Sequence, residues 1–342
     1  MIEIPGDYGE GGGQIIRTAI ALSAVTGKPC RISSIRAKRA KPGLQTQHLE
    51  GVKALAKLCG ADVKGAHLGS TELAFSPQKI KGGNISISIP TAGSTGLVLQ
   101  GLMIAAIHAD KAVNISISGG ATNGKWAMPL NYAKQVLLPL LGKMGYKAEI
   151  DVERYGYYPK GGAVVSVVIE PCKLSPLVLL ERGEIVSVNG VSHASKELTK
   201  NNVAERQQKA ARDVIFKELK ITADVRSRYN DTACPGSAID LWAKCENSVL
   251  GSDGLGERGK RAEDVGKEAA EKLVQQLRSG AAVDEHAEDQ LIPYMALAAE
   301  SGTSSIKVPV LTEHTQTNIW VVEKFLDVKF EMEGSVLHCK KL

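Results

Sequence analysis

One pattern of helices and strands recurs three times along this chain of 342 residues. Each copy opens with an apolar, alanine-rich helical segment that starts at a glutamine, breaks at a polar or glycine turn and enters a short strand. The three glutamines are Gln14, Gln100 and Gln290. A second helix and a further strand follow in each copy. Self-similarity on this scale is typical of duplicated supersecondary units, so the pattern predicts three sheets, each backed by two helices.

The rhythm changes between about Leu180 and Gln276. Strand-like segments there flank a charged helical segment, and a second charged helix ends the region. We therefore expect an α+β protein with a large domain of three duplicated units, residues 1–180 and 277–342. A small α/β domain, residues 181–276, would be inserted between the second and third units.

Composition is that of an ordinary globular protein. Hydrophobic residues make up 43% of the chain and aromatic residues only 4%, which predicts an aliphatic core. The net charge of +5 is too small to indicate a nucleic-acid binder, but it is compatible with a local basic patch. The six cysteines lack the spacing of a zinc site. No signal peptide pattern or membrane-length apolar run is present, so we expect a cytoplasmic protein with no membrane partner.

Two segments of the first unit are suited to binding phosphates. The glycine-rich run GDYGEGGGQIIR precedes a helix, where backbone N–H groups can approach an anion. Within it, Glu10 could hold a divalent metal and Arg17 could clamp phosphate oxygens. A plain turn before a helix is an equal alternative. The segment RAKRAKPGLQTQHLEG then brings four cations to a second helix entrance: Arg36, Lys38, Arg39 and Lys41. Polyphosphate or RNA backbone would be attracted there. A solvated surface is the simpler interpretation.

The equivalent loop of the second unit is SGGATNGKWAMP, from Ser118 to Pro129. Its tryptophan could stack on a base. A purely structural loop explains the same residues equally well, so the segment by itself does not define a site.

The third unit supplies a single histidine in LTEHTQTNIW. We predict that His314 lies in a loop between a strand and a helix, at the position equivalent to the basic loop of the first unit. Equivalent loops of duplicated units should face a common cleft, so His314, Arg39 and Glu10 are expected to meet. Asp289 and Gln290 are expected at the head of a helix, where capping is the simpler role. An imidazole can act as a base or a nucleophile, so the residues indicate phosphoryl or nucleotidyl transfer.

Five motifs, in order along the whole chain, resemble the RNA 3′-terminal phosphate cyclase family: GEGGGQIIR, RAKRAKPGLQTQHL, GSTGLVLQ, EDQLIPYMALA and EHTQTNIWVVEKFL. The resemblance implies three duplicated sheet units and a small inserted domain. It also implies a reaction that uses ATP, Mg²⁺ or Mn²⁺, and RNA with a 3′-terminal phosphate. A histidine would take AMP from ATP and pass it to the RNA, giving RNA(3′)pp(5′)A. The 2′-hydroxyl would then expel AMP and leave a 2′,3′-cyclic phosphate.

The same resemblance implies a role for each matching residue. The catalytic residues are His314 as nucleotidyl acceptor, Arg17 and Glu10, with Glu10 also as metal ligand. The residues implied for the nucleotide are Gln100, Pro129, His286, Asp289 and Gln290, and those implied for the RNA are Arg39, Lys41 and Gln47. His286 departs from the family pattern, which usually has tyrosine there. We further expect the His314 ring to be hydrogen-bonded by its neighbours in sequence, Thr315, Thr317 or Asn318.

Two alternatives remain open at this point. One branch of the family consists of ribosome-biogenesis proteins without the catalytic histidine, so an inactive, cyclase-like RNA-binding protein is the first alternative; the presence of His314, Arg17 and Glu10 argues against it. A carboxyvinyl transferase, whose sheets are built from similar repeats, is a more distant one, and its substrate motifs are absent. The sequence leaves monomer and homodimer equally open.

Overall fold

A computed structural model describes residues 1–342 as a mixed α/β protein with four four-stranded sheets. The helices are α1 (Gln14–Thr26), α2 (Thr46–Cys59), α3 (Thr95–Ala106), α4 (Leu130–Tyr132), α5 (Leu138–Gly142), α6 (Val203–Leu219), α7 (Ala262–Arg278), α8 (Glu285–Ala298) and α9 (Glu313–Phe325), with a π-helical turn, Ala133–Leu137, between α4 and α5. None of the helices is both long enough and apolar enough to cross a membrane.

Sixteen strands are distributed along the same chain. They are β1 (Ile2–Pro5), β2 (Cys30–Ser33), β3 (Asp62–Lys64), β4 (Leu73–Ser76), β5 (Gly83–Ser94), β6 (Val113–Ala121), β7 (Lys147–Arg154), β8 (Val164–Glu170), β9 (Val178–Leu179), β10 (Ile185–Ser195), β11 (Asp224–Asn230), β12 (Ser237–Cys245), β13 (Val249–Leu255), β14 (Ser304–Lys307), β15 (Val328–Glu333) and β16 (Val336–Lys341).

Three of the four sheets have the same strand order and pairing sense. In the first sheet, β1 pairs parallel with β2, β2 antiparallel with β4, and β4 antiparallel with β3. The orders β5-β6-β8-β7 and β9-β14-β16-β15 repeat this sequence of one parallel and two antiparallel pairings. Because β9 precedes the fourth sheet in sequence and β14 follows it, the third sheet is assembled from chain on both sides of the fourth.

The fourth sheet has a different order, β11-β10-β12-β13, in which only β10 and β11 are parallel. Helices α6 and α7 pack on it and complete a core cluster of 15 buried residues between Val188 and Leu277. The other three sheets share a cluster of 72 buried residues, to which this segment contributes only Trp242. Alanine and branched aliphatic residues dominate both clusters, as the low aromatic content predicts.

A buried polar network joins the fourth sheet to the second. Asp240 on β12 accepts hydrogen bonds from Asn123 (3.1 Å) and Asn131 (2.7 Å), and its Oδ2 lies 3.0 Å from His193 Nε2. The hydroxyl of Tyr157 lies 2.6 Å from the other ring nitrogen, His193 Nδ1. All five side chains are buried. A desolvated carboxylate needs such partners to offset the cost of leaving water, so the network fixes the two sheets against each other.

The start of α9 corrects one sequence prediction. Thr312 is the N-cap, and its hydroxyl accepts a hydrogen bond from the Thr315 N–H at 3.1 Å. The helix therefore begins at Glu313, before the apolar periodicity becomes visible, and His314 lies in its first turn. The prediction that His314 lies in a loop is wrong because a hydroxyl cap, rather than the apolar repeat, determines the helix start.

The start of α8 corrects another. The carboxylate of Asp284 caps this helix by accepting hydrogen bonds from the backbone N–H groups of His286 and Ala287. Asp289 and Gln290 consequently lie inside the helix instead of at its head, and capping is not their role. Gln100 is likewise inside α3, which begins at Thr95.

Candidate functional site

The three glutamines that mark the repeated pattern belong to one chain of hydrogen bonds. Gln14 Nε2 donates to Asp289 Oδ2 at 3.0 Å, and Gln290 Nε2 donates to Asp289 Oδ1 at 2.9 Å. Gln100 Nε2 donates to Gln290 Oε1 at 2.7 Å, and Arg17 Nε donates to Gln100 Oε1 at 2.7 Å. Helices α1, α3 and α8 therefore meet along a single polar line, to which each sheet unit contributes. We call it the glutamine line; its members are Gln14, Arg17, Gln100, Asp289 and Gln290.

The ring of His314 extends this line. Its Nδ1 lies 2.8 Å from Gln14 Oε1, in hydrogen-bond geometry, and 2.8 Å from Glu10 Oε2. Because the amide nitrogen of Gln14 is directed at Asp289, its oxygen must face the ring. Both neighbours of Nδ1 are acceptors, so Nδ1 carries the hydrogen. A neutral ring then has its lone pair on Nε2, and about half of the side chain, 53%, is exposed.

The glycine-rich loop and the basic loop meet at Glu10. The guanidinium of Arg39 pairs with Glu10 Oε1, while Oε2 faces His314. Lys38 Nζ donates to the carbonyl oxygen of Gly9 at 3.3 Å and joins the two loops a second time. The structure thus brings Glu10, Arg39 and His314 together, as the equivalence of the loops predicts.

The remaining residues of the basic loop are placed differently. Arg36 turns inward and donates to the carbonyl oxygens of Lys41 (2.6 Å) and Gly43 (2.9 Å), so it shapes the loop. Burial lowers the pKa of Arg36. Lys41 is exposed. The Oε1 atom of Gln47 accepts a hydrogen bond from the Ser94 N–H at 3.1 Å, which directs Gln47 to the start of α3 rather than to His314.

Burial dominates the electrostatics around the glutamine line. It lowers the pKa of Arg17 to about 10, against the attraction of Asp289, so the guanidinium stays charged at neutral pH. Burial raises the pKa of Asp289, opposed by the hydrogen bond from Gln290 and by the nearby His314. Arg17 and Asp289 therefore each favour the charged form of the other through the intervening amides.

His48 is a buried histidine that the sequence did not single out. Its Nδ1 accepts a hydrogen bond from the Gln45 N–H at 3.1 Å. Burial, followed by the charge of Arg17, lowers the pKa of His48 to about 3, so the ring is neutral. A Cβ added to Gly13 would overlap this ring, and the glycine is therefore needed for α1 to begin beside α2.

None of the residues expected to bond the His314 ring, Thr315, Thr317 and Asn318, forms a hydrogen bond with it. Thr315 bonds Thr312 through its N–H and its hydroxyl. The Asn318 side chain accepts from the Thr18 hydroxyl and donates to the carbonyl oxygen of Asp289, each at 2.8 Å. The prediction is wrong because these helical residues are directed into the junction of α9 with α1 and α8. Gln14, 300 residues away in sequence, supplies the bond instead.

Two residues expected near the nucleotide lie at the edge of this region. His286 is exposed in the first turn of α8, and its ring stands edge-on to Tyr132 with centroids 6.3 Å apart. Pro129 is buried immediately before α4, the helix that carries Tyr132. Only His286 is shown beside the Tyr132 ring, and its side chain has no hydrogen bond to the glutamine line.

The metal expectation rests on Glu10 alone. No group of three or more His, Cys, Asp or Glu side chains is arranged to hold an ion. Glu10 Oε2 is nevertheless buried without an aligned hydrogen bond. Mg²⁺ commonly binds through one or two carboxylates together with substrate phosphates and water, so a single carboxylate of this kind fits such an ion. A histidine with a directed lone pair, beside a carboxylate that is itself paired with the Arg39 guanidinium, is suited to phosphoryl or nucleotidyl transfer.

Comparison with known proteins identifies the family. Residues 8–332 match the family model described as RNA 3′-terminal phosphate cyclase. A protein of that name from Methanopyrus kandleri is 47% identical over 341 residues, covering 98% of this chain and 96% of its own length. A namesake from Pyrococcus abyssi is 46% identical over 337 residues, with coverages of 98% and 96%. This chain belongs to the RNA 3′-terminal phosphate cyclase family.

Among solved structures, the enolpyruvyl transferase NikO from Streptomyces tendae is 16% identical, and the match covers 51% of this chain and 33% of NikO. The TM-score of 0.29 is too low to support a fold comparison.

Proposed function

We propose that this chain is an ATP-dependent RNA 3′-phosphate cyclase that carries AMP on His314. One observation carries the proposal: the bond from His314 Nδ1 to Gln14 leaves Nε2 as the nucleophilic atom of the ring. Relatives at 46–47% identity bear the name of this activity, which points to RNA with a 3′-terminal phosphate as the substrate. Membership of the family implies ATP as the second substrate.

In the first step, His314 Nε2 attacks the α-phosphorus of ATP. The Nε2–P bond forms while the bond between that phosphorus and the pyrophosphate oxygen breaks. Because Nδ1 keeps its hydrogen, the adenylylated ring is cationic. Glu10 Oε2, 2.8 Å from Nδ1, lies where this charge develops, so it stabilises the charged ring more than the neutral one. Asp289, acting through Gln14, holds the ring in its attacking orientation.

In the second step, an oxygen of the RNA 3′-phosphate attacks the phosphorus of the bound AMP, and the Nε2–P bond breaks. The product is RNA(3′)pp(5′)A. The neighbouring 2′-hydroxyl then attacks the RNA phosphorus, loses its proton and expels AMP, which leaves the 2′,3′-cyclic phosphate. ATP is required because a phosphate monoester has a poor leaving group, and adenylylation replaces it with AMP.

The other site residues receive roles by position. Arg17 and Arg39 flank Glu10 and the glutamine line and would neutralise phosphate oxygens. Lys41 and Gln47 are assigned to the RNA end, and Gln100, Pro129, His286, Asp289 and Gln290 to the nucleotide. Glu10 would hold Mg²⁺ or Mn²⁺ through its carboxylate, and such an ion, when bound, neutralises charge on the triphosphate.

The domain organisation is part of the same proposal. The shared strand order of three sheets supports duplicated units within one large domain, residues 1–180 and 277–342. The distinct order and separate core of the fourth sheet support an inserted α/β domain, residues 181–276. The cysteines are free, and all but Cys172 are buried, which suits a reducing compartment such as the cytoplasm.

Covalent labelling tests the function. The purified protein is incubated with α-labelled ATP and Mg²⁺ or Mn²⁺, and we expect an acid-labile, alkali-stable label. His314→Ala should abolish it, whereas His67→Ala, which removes another exposed imidazole, should leave it unchanged. A His314→Ala protein that still takes up AMP would contradict the proposed mechanism. A wild-type protein that binds RNA but never takes up AMP would instead favour the inactive RNA-binding alternative.

A further inference from the structure

We infer that the cleft between the second and fourth sheets binds the RNA strand on the 5′ side of its reacting end; this inference rests on the proposed function. The cleft has a volume of about 1280 Å³ and is lined from both sides, by loops beside β6 and β8 and by α6, α7 and the loop after β13. Small-molecule pockets usually measure about 300–1,000 Å³. The cleft therefore exceeds what one small ligand fills and suits an extended chain.

The charge of the lining matches a phosphate backbone. Five cationic side chains line the cleft against one carboxylate, Glu257; the cations are Lys125, Arg206, Arg258, Lys260 and Arg261. Four of the five are paired with carboxylates: Lys125 with Glu257 at 2.9 Å, Arg206 with Glu263 at 2.7 Å, Arg261 with Glu263 at 3.7 Å and Lys260 with Glu268 at 2.5 Å. Arg258 is exposed and takes part in no ion pair, so its charge is available to a ligand. An excess of positive charge along a groove is the electrostatic feature that attracts a nucleic-acid strand.

Two exposed aromatic rings stand in the same lining. Trp126 is 95% exposed and Tyr158 is 80% exposed. Trp126 sits in a two-residue turn closed by a bridge between Gly124 and Ala127, and it adopts a left-handed backbone conformation with φ of 58°. A bulky residue in that conformation is held there at a cost in strain, which is often found at binding sites. Aromatic faces beside cations are the parts from which single-strand binding sites are built.

The cleft borders Gln47, a residue that the proposed function assigns to the RNA end. Gln47 and Ser94 both line it, and they are bonded to each other. The next residue, His48, packs against Gly13 at the start of α1, and Gln14 follows with its bond to the His314 ring. A strand whose 3′-phosphate reaches Gln47 would thus have the cleft open to its preceding nucleotides.

The test uses the full-length protein and a fluorescent, 3′-phosphorylated RNA of about 12 nucleotides, a length within known single-strand site sizes. Trp126→Ala should raise the Kd by about tenfold, as expected for the loss of one stacked base. Arg258→Ala should lower the salt dependence, log Kd against log salt, by about 0.7, the contribution of one phosphate contact. The matched controls are Phe216→Ala and Arg212→Ala, which change exposed residues of α6 outside the cleft.

Self-adenylylation with ATP alone is measured on the same variants and separates the two proposals. Unchanged labelling with weakened binding of the long RNA, but unchanged KM for a 3′-phosphorylated dinucleotide, supports the inference. Cleft variants that bind the long RNA like the two controls overturn it, whatever the labelling shows. If the wild type takes up no AMP and yet loses RNA affinity on Trp126→Ala, the cyclase proposal fails while the RNA cleft stands.

Discussion

His314 and Gln14 are joined by a hydrogen bond of 2.8 Å across 300 residues of sequence. The Gln14 amide is itself fixed by Asp289, and Asp289 is fixed by Gln290. The direction of the His314 ring therefore depends on side chains from α1 and α8, although the histidine belongs to α9. Gln14 is a positioning residue, and removing it should disturb the ring without removing any group that touches the substrate.

Replacing Gln14 by leucine should slow self-adenylylation about 100-fold, the size of effect that a misplaced reacting group produces. The ring should lose its preference for hydrogen on Nδ1, which nitrogen NMR of the imidazole can measure. The matched control is Gln316→Leu, which removes an exposed amide from the same helix as His314. A Gln14→Leu protein with normal labelling and a normal imidazole spectrum would contradict the positioning role.

Replacing Arg39 by alanine should weaken the use of 3′-phosphorylated RNA. The guanidinium pairs with Glu10 and is the exposed cation nearest that carboxylate, so its loss removes charge from the place where phosphates would meet. We expect a rise in KM for RNA of about tenfold, corresponding to one charge-assisted contact. Arg31→Ala, which removes an exposed arginine paired with Glu72, serves as control, and equal KM values for the two variants would remove Arg39 from the site.

Glu288 should make stability depend on pH. Its side chain is buried, one oxygen accepts from the Thr312 N–H at 3.2 Å, and the other has no partner. Burial, reinforced by Asp289 and Glu285, raises the pKa of Glu288 from its ordinary value of 4.5 to about 7. A raised pKa means that the folded state holds the Glu288 proton more tightly than the unfolded state does. The contribution of this proton to the free energy of unfolding is therefore complete below about pH 4.5 and is lost as the pH rises through 7.

Urea denaturation between pH 5 and pH 8 measures this effect. In the wild type, the loss attributable to Glu288 should amount to at most about 3 kcal/mol over that range. Glu288→Gln should flatten the profile, whereas Glu285→Gln, one turn away and partly exposed, should leave most of the slope. Parallel profiles for wild type and Glu288→Gln would show that the carboxyl is ionised in the folded protein throughout.

Replacing Asp240 by alanine should destabilise the junction between the fourth and second sheets. Three buried groups, from Asn123, Asn131 and His193, would lose their shared acceptor. The expected cost is about 3–5 kcal/mol, as for breaking a buried polar network. Asp231→Ala removes a carboxylate from an exposed pair with Lys196 and should cost less than about 1 kcal/mol. Calorimetry would also show whether residues 181–276 then melt separately. If Asp240→Ala lowered the free energy of unfolding by as little as Asp231→Ala, the role of the network would be contradicted.

The sequence predicted the helices and strands well. It predicted contacts between them only where the three repeated units have equivalent loops. The equivalence of three loops was enough to expect Glu10, Arg39 and His314 in one place, and the structure confirms that convergence. The sequence alone did not locate the first residues of α8 and α9, which carry Asp289 and His314, because a single capping side chain sets the start of each helix. The bond from Gln14 to His314 depends on how α1, α8 and α9 dock, which no local pattern encodes. The position of Gln14, equivalent to those of Gln100 and Gln290, was the one signal that could have suggested it.

The glutamine line also determines when, during synthesis of the chain, the surroundings of His314 can form. Gln14, Gln100 and Gln290 come from segments synthesised at the beginning, in the first third and near the end of the chain, and His314 follows the last of them. Almost the entire polypeptide must therefore emerge from the ribosome before His314 can form its hydrogen bond with Gln14. If His314 carries AMP as proposed, the growing chain therefore cannot consume ATP before its synthesis is nearly complete.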